Sequence, residues 1–147
     1  MSTLLRIALV LAVSIAAHAG PGWLTDPVKA KVQAQKENKA VFVEFTGSDW
    51  CPPCKKLKAA ILESPVFQEY ASKKLVLLEV DFPRQTEQAA ELKSQNAKLK
   101  QRFKITGYPT VILLDKNSKE LDRWVGFGGE SPEEYIAKLE ALLAKGK

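Results

Sequence analysis

The segment Trp50-Cys51-Pro52-Pro53-Cys54-Lys55 holds both cysteines of the chain, two residues apart, at the point where one structural pattern gives way to another. Upstream, Ala40-Val41-Phe42-Val43-Glu44-Phe45-Thr46 is rich in β-branched and aromatic residues and follows the turn-like Asn38-Lys39, which predicts a buried strand. Gly47-Ser48-Asp49 reads as a loop. From Cys51 onward the spacing is helical, with Leu57, Ala60 and Ile61 on one face. Pro52 and Pro53 fit the first turn, where backbone N–H groups have no intrahelical partner in any case. Cys51 then stands at a helix N-terminus, whose free N–H groups and dipole favour a thiolate and lower its pKa from about 8.5 toward roughly 3.5–7.5. With two prolines between the cysteines, the first free N–H after Cys51 belongs to Cys54 itself. Cys54 lies one turn on, on the same side, as the resolving thiol, and only Cys51 is expected to be exposed. A structural staple is the alternative. A bridge that closes only two residues removes little loop entropy from the unfolded chain, so the spacing favours redox work.

Outward from this junction, Gly20 to Trp23 is an extended lead-in, and Thr25-Asp26-Pro27 caps a helix that runs to about Asn38. Ser64-Pro65 interrupts or restarts the helix that begins at Cys51, and Phe67 and Tyr70 continue it. Leu75 to Phe82 is a second central strand, mostly apolar apart from Glu79 and Asp81. A polar helix from about Thr86 to Phe103 carries a sparse apolar face of Leu92, Leu99 and Phe103. Thr110–Leu114 and Glu120–Val125 flank a turn at Asp115-Lys116-Asn117-Ser118 and form a hairpin. Ser131-Pro132-Glu133-Glu134 is a capping box that opens the last helix, with Tyr135, Ile136, Leu139, Leu142 and Leu143 turned to the core. A strand–helix–strand unit followed by a hairpin gives an α/β fold: a mixed central sheet with helices on both faces, in one domain over residues 20–147.

The strand with Glu44, the WCPPCK motif, Gly107-Tyr108-Pro109-Thr110 and the closing hairpin resemble the thioredoxin superfamily over essentially the whole chain after residue 19. The loop FTGSDWC, the helix break at ESPVF and the polar stretch after Asp81-Phe82 are similar to exported bacterial thioredoxin-like proteins. They are also similar to the C-terminal domain of the thiol:disulfide interchange reductase. A CPPC pair occurs in tryparedoxin-like proteins too, so the motif alone does not assign a subgroup. The resemblance implies a redox-active disulfide between Cys51 and Cys54, a cis-proline at Pro109 facing it, and Tyr108 offering its backbone to a substrate strand. A trans turn proline is the plain alternative at Pro109. Trp50 packs beside the motif and borders the substrate site. Glu44 takes the place of the family's buried acid, where burial raises its pKa and lets it accept the Cys54 proton. An edge-facing glutamate in solvent is the alternative reading. Dithiol–disulfide exchange with protein thiols and disulfides follows, with no cofactor. A membrane thiol-disulfide reductase is the candidate electron donor, and reduction is favoured because proline precedes the resolving cysteine and no histidine stands between the pair. An oxidase, an isomerase or a non-catalytic binding or chaperone module remain the rivals.

Other chemistries fit poorly. The single histidine, His18, lies in the N-terminal segment, which leaves no Cys-His hydrolase in the mature chain. Two cysteines would need two further ligands to hold zinc. The formal net charge of +5 is dispersed among acids with no aromatic-interleaved basic stripe, so nucleic acid is not an expected partner. Lys55, Lys56 and Lys58 read as a solvated helix face. Arg6, the apolar run Ile7–Ala17 broken by Ser14, and Ala17-His18-Ala19 form a secretory signal peptide over residues 1–19. A retained anchor is the alternative, although the run is shorter than the ~20 residues a membrane span needs. Export to the periplasm or another extracytoplasmic space follows. N-terminal sequencing of exported protein is expected to begin at Gly20; an intact Met1 would contradict cleavage.

Overall fold

The computed structural model describes residues 22–145. The expected signal segment, its boundary at Gly20 and the basic end at residues 146–147 lie outside them. Helix α1 (Pro27–Glu37) starts where its cap places it: the Asp26 carboxylate accepts from the N–H groups of Val28 and Lys29, and Asn38 closes the helix in the left-handed region at φ 54°. Strand β2 (Ala40–Thr46) follows, buried at every position. It pairs in parallel with β3 (Leu75–Asp81) on one side and antiparallel with β4 (Thr110–Leu114) on the other. Strand β5 (Glu120–Val125) completes the hairpin with β4. At the far edge, β1 (Trp23–Leu24) pairs in parallel with Leu77 and Leu78, giving the order β1-β3-β2-β4-β5. The lead-in is thus a fifth strand. Two residues are too few to show strand periodicity in a sequence, and only the edge of β3 gives them ladder partners.

Helices cover both faces. Alternate residues of β2 serve opposite cores, as strand geometry requires. Phe42 packs with Leu57, Phe67, Leu77, Tyr135 and Leu139 under α2 (Pro52–Leu57), α3 (Pro65–Lys74) and α5 (Pro132–Lys145). Val41, Val43 and Phe45 pack with Ala30, Ala34 and Leu99 from α1 and α4 (Ala90–Arg102). The capping box at the start of α5 is formed as its residues suggest: Ser131 Oγ accepts from Glu134 N–H while the Glu134 carboxylate accepts from Ser131 N–H.

Two boundaries differ from the sequence expectation. α4 begins at Ala90, four residues after Thr86. The Asp49 carboxylate takes the N–H groups of Arg84, Gln85 and Thr86 at 3.0, 2.8 and 2.8 Å, which holds this stretch as a loop beside the cysteines. In addition, α2 widens into a π-helical turn at Lys58–Leu62. The extra residue in that turn brings Ile61 and Leu62 to the core and leaves Ala60 exposed, against the simple helical spacing. The chain restarts at Ser64, whose hydroxyl accepts from Phe67 N–H at 3.2 Å and donates to the Ile61 carbonyl at 2.7 Å. Ser64→Ala removes the cap of α3, and a loss of about 1 kcal/mol of stability is expected, seen as a lower urea midpoint of unfolding.

Candidate active site

The cysteines lie at the carboxyl end of β2, where the central strand hands over to α2. Cys51 caps α2 in extended conformation, and Cys54 lies within its first turn. They are joined as a disulfide with Cα atoms 5.3 Å apart. Pro52 and Pro53 supply no N–H, so Cys54 N–H is the donor that reaches Cys51 Sγ, at 3.4 Å. In this oxidised state Cys51 is only 3% exposed and Cys54 1%. The expectation that Cys51 alone is exposed does not hold for the disulfide form. The bond turns the Cys51 sulfur back over the helix start, toward Cys54 N–H.

The strand register brings Pro109 to the same place. Phe45 pairs with Thr110 in the β2–β4 ladder, so Pro109 sits beside the end of β2, and the Tyr108–Pro109 peptide bond is cis. Trp50 and Tyr108 meet edge to face with ring centroids 5.7 Å apart, bringing together the residues that precede Cys51 and Pro109. The Trp50 indole N–H donates to the Phe82 carbonyl at 2.7 Å, and the Arg84 guanidinium stacks 3.5 Å from the indole centroid. Gly47 makes this seat possible, because a Cβ there would lie 2.5 Å from the Trp50 ring. The Asp49 carboxyl is held down at about 2, chiefly by the Arg84 N–H it accepts, and so remains charged and keeps the 84–86 loop in place.

Glu44 lies two residues before the end of β2. It is 3% exposed, on the face of β2 covered by α2, and its Oε1 has no hydrogen-bond partner. Burial pushes its carboxyl up to about 8, with the nearby Glu79 adding to the rise. Lys58 follows Cys54 by four residues and borders the same small cavity as Glu44. Lys58 is therefore more than a solvated face residue, although its side chain remains 51% exposed.

A thioredoxin-like domain model matches residues 28–143. The chain belongs to the thioredoxin-like family. Disulfide bond reductase DsbH of Chlamydia pneumoniae is 35% identical over 115 residues, which cover 78% of this thioredoxin-like chain and 69% of DsbH. Thioredoxin-related protein DsbJ of the same organism is 35% identical over 129 residues, 84% of this chain but only 37% of DsbJ. Among solved structures, a DsbH oxidoreductase superposes with a TM-score of 0.78 at 29% identity, covering 98% of this chain and 95% of that one. With a C-x-x-C pair in this fold and such relatives, this thioredoxin-like protein is a thiol-disulfide oxidoreductase.

The structure of this thioredoxin-like chain brings Cys51, Cys54, Trp50, Tyr108 and Pro109 to the carboxyl end of β2, with Glu44 two residues inside that strand on the face covered by α2. Arg84, Asp49 and Glu79 join them without a sequence signal of their own. Arg84 and Asp49 are far apart in sequence and meet only through the loop, and Glu79 reads alone as one acid in an apolar strand. Among the described residues, no group of three or more His, Cys, Asp or Glu side chains is placed to hold a metal ion. The raised Glu44 carboxyl has a consequence for stability. Its folded value of about 8 lies above the ordinary 4.5, so the fold holds a proton that the unfolded chain releases. The contribution of Glu44 to stability is full below about pH 4.5 and is lost as pH rises through 8. The loss is on the order of 5 kcal/mol, at roughly 1.4 kcal/mol per pH unit between 4.5 and about 8. Urea unfolding of the disulfide form across this range is expected to show that decline in wild type and a much flatter profile in Glu44→Gln.

Proposed function

We propose that this oxidoreductase is an exported reductant of protein disulfides. Cys51 is the attacking thiol, Cys54 the resolving thiol and Glu44 the proton acceptor. Trp50, Tyr108 and Pro109 border the bound substrate. The observation that carries the reading is the Cys51–Cys54 disulfide at the start of α2, with Pro109 beside the end of β2 and, on the face of that strand covered by α2, the buried Glu44 carboxyl whose Oε1 has no partner. In the reduced enzyme the Cys51 thiolate attacks a substrate disulfide, one substrate thiolate leaves, and a mixed disulfide forms. The Cys54 thiol then gives its proton to Glu44 and attacks the Cys51 sulfur, so the second substrate thiolate departs and two electrons have reached the substrate. A carboxyl near 8 suits this work in both directions, because its affinity for a proton is close to that of a free thiol near 8.5 and to the working pH. The neutral acid protonates Cys54 when the enzyme's own disulfide is reduced.

The direction rests on the proline before Cys54, on the absence of histidine between the cysteines, and on the 35% identity to a protein named for disulfide reduction. Periplasmic location rests on the signal-like segment at residues 1–19. A membrane thiol-disulfide reductase is the fitting donor for such a protein, since an exported dithiol must be re-reduced outside the cytoplasm.

Insulin reduction with dithiothreitol is expected to be lost in Cys51→Ser, while Cys54→Ser accumulates mixed disulfides. Normal turnover by Cys54→Ser would remove its resolving role, and no turnover by wild type would favour a binding module. Stopped-flow measurement of the resolving step is expected to show Glu44→Gln slowed roughly 10²-fold or more near neutral pH, with recovery as pH rises. Equilibration with glutathione is expected to place the couple near the thioredoxin end of the range, about −270 mV; a value near −120 mV would make the protein an oxidant.

A further inference from the structure

Glu44 and Glu79 are direct partners in the parallel β2–β3 register, so two carboxyls stand side by side on the face covered by α2. Strands lie about 4.8 Å apart, close enough for such neighbours to interact strongly. Both line one cavity of about 70 Å³, whose polar lining is completed by Lys58, Glu63 and Gln68. That volume suits about two water molecules. The two acids differ in access. Glu44 is 3% exposed with an unpartnered Oε1, whereas Glu79 is partly exposed.

The surrounding charges do not neutralise the pair. From α2, Lys58 is the cation that faces it, half-exposed and 3.9 Å from the Glu63 carboxylate at the end of the π turn. From β3, Asp81 adds a second negative influence on both acids. From β2 the Thr46 hydroxyl, from α3 the Gln68 amide and from α5 the Tyr135 phenol bring no positive charge. From β4 the neighbour of Glu44 is Val111. Burial also raises the Glu79 carboxyl, with Asp81 adding to it. Two adjacent acids with one shared, solvated cation do not both ionise readily near neutrality.

We propose that Glu79 and Glu44 form a coupled acid pair that shares a proton, and that partly exposed Glu79 passes protons between buried Glu44 and solvent. This rests on the reading of Glu44 as the acceptor for Cys54. In the resolving step the Cys54 proton moves to the Glu44 carboxylate as the Cys54 sulfur bonds Cys51, and the Cys51–substrate bond breaks with release of a substrate thiolate. The proton on Glu44 then crosses cavity water to the Glu79 carboxylate and leaves to bulk, with no electron moving. Glu79 is thus a positioning residue for the acid, acting through Glu44 without touching substrate.

The test titrates the carboxyl carbons of the oxidised full-length protein by NMR and follows the resolving step by stopped flow across pH. In wild type each resonance is expected to show two inflections, one from its own titration and one from its neighbour's. In Glu79→Gln, Glu44 is expected to titrate in a single step about one pH unit lower or more, a tenfold change, and the pH profile of resolution shifts with it. Lys58→Met, at a more exposed position, is expected to shift Glu44 upward. A Glu44 midpoint unchanged in folded Glu79→Gln, or single inflections in wild type, would overturn the pair whatever Glu44 does in catalysis. A shifted midpoint with an unshifted kinetic profile overturns the relay. A wild-type resolving rate in Glu44→Gln removes the acceptor reading and the relay with it, while the NMR coupling reads out the pair separately.

Discussion

The burial of β2 is the constraint on which the site depends. A central strand with a ladder on each side and helices over each face has no solvent-facing side, so all seven residues from Ala40 to Thr46 are buried. An acid placed there at position 44 has no route to water except through its neighbours. Its raised carboxyl follows from this topology, because desolvation of the charged form is the largest cause and no buried cation offsets it. The same topology puts the end of β2 next to Thr110 on β4, with Pro109 just before it, and next to Asp81 on β3. Whatever follows Thr46 therefore emerges between two strand ends, and the loop that follows carries the cysteines.

That loop is fixed from outside itself. Ser48 donates through both its N–H and its hydroxyl to the Asp81 carboxylate, and Asp49 takes three N–H groups from the 84–86 loop. Trp50 is pinned by the Phe82 carbonyl and flanked by Arg84 and Tyr108. These ties bind residues 47–50 to the segment after β3, so the start of α2 has one position relative to Pro109. A helix start held this way presents its free N–H to one sulfur, and the two prolines make Cys54 the donor for Cys51. The sequence CPPC and the tertiary ties thus act on the same atom from opposite directions.

The π turn serves the same end of the molecule. One extra residue within Lys58–Leu62 rotates the helix so that Ile61 and Leu62 reach the core, while Lys58 stays at the mouth of the cavity above Glu44 and Glu79. Ser64 then ends the turn and starts α3 afresh, which lets two helical segments of different rotation cover one sheet face.

Much of this was legible in the residues. β-branched runs marked β2, β3 and the hairpin, the caps at Asp26 and Ser131 placed two helix starts, and C-x-x-C at a strand-to-helix junction marked the redox pair, because each of these signals is local and period-bound. The two-residue β1, the start of α4 at Ala90, the exposure of Ala60 and the covering of Cys51 were not legible. They depend on partners 30 or more residues away, as with Asp49 and the 84–86 loop, on a helical geometry whose period changes mid-helix, or, for Cys51, on the disulfide that draws its sulfur to Cys54. Glu44 shows both sides of the division. Its sequence neighbours determined that a carboxyl would be buried; the register with Glu79 and the approach of Lys58, which set how readily that carboxyl holds a proton, exist only once three separate elements have packed against one another.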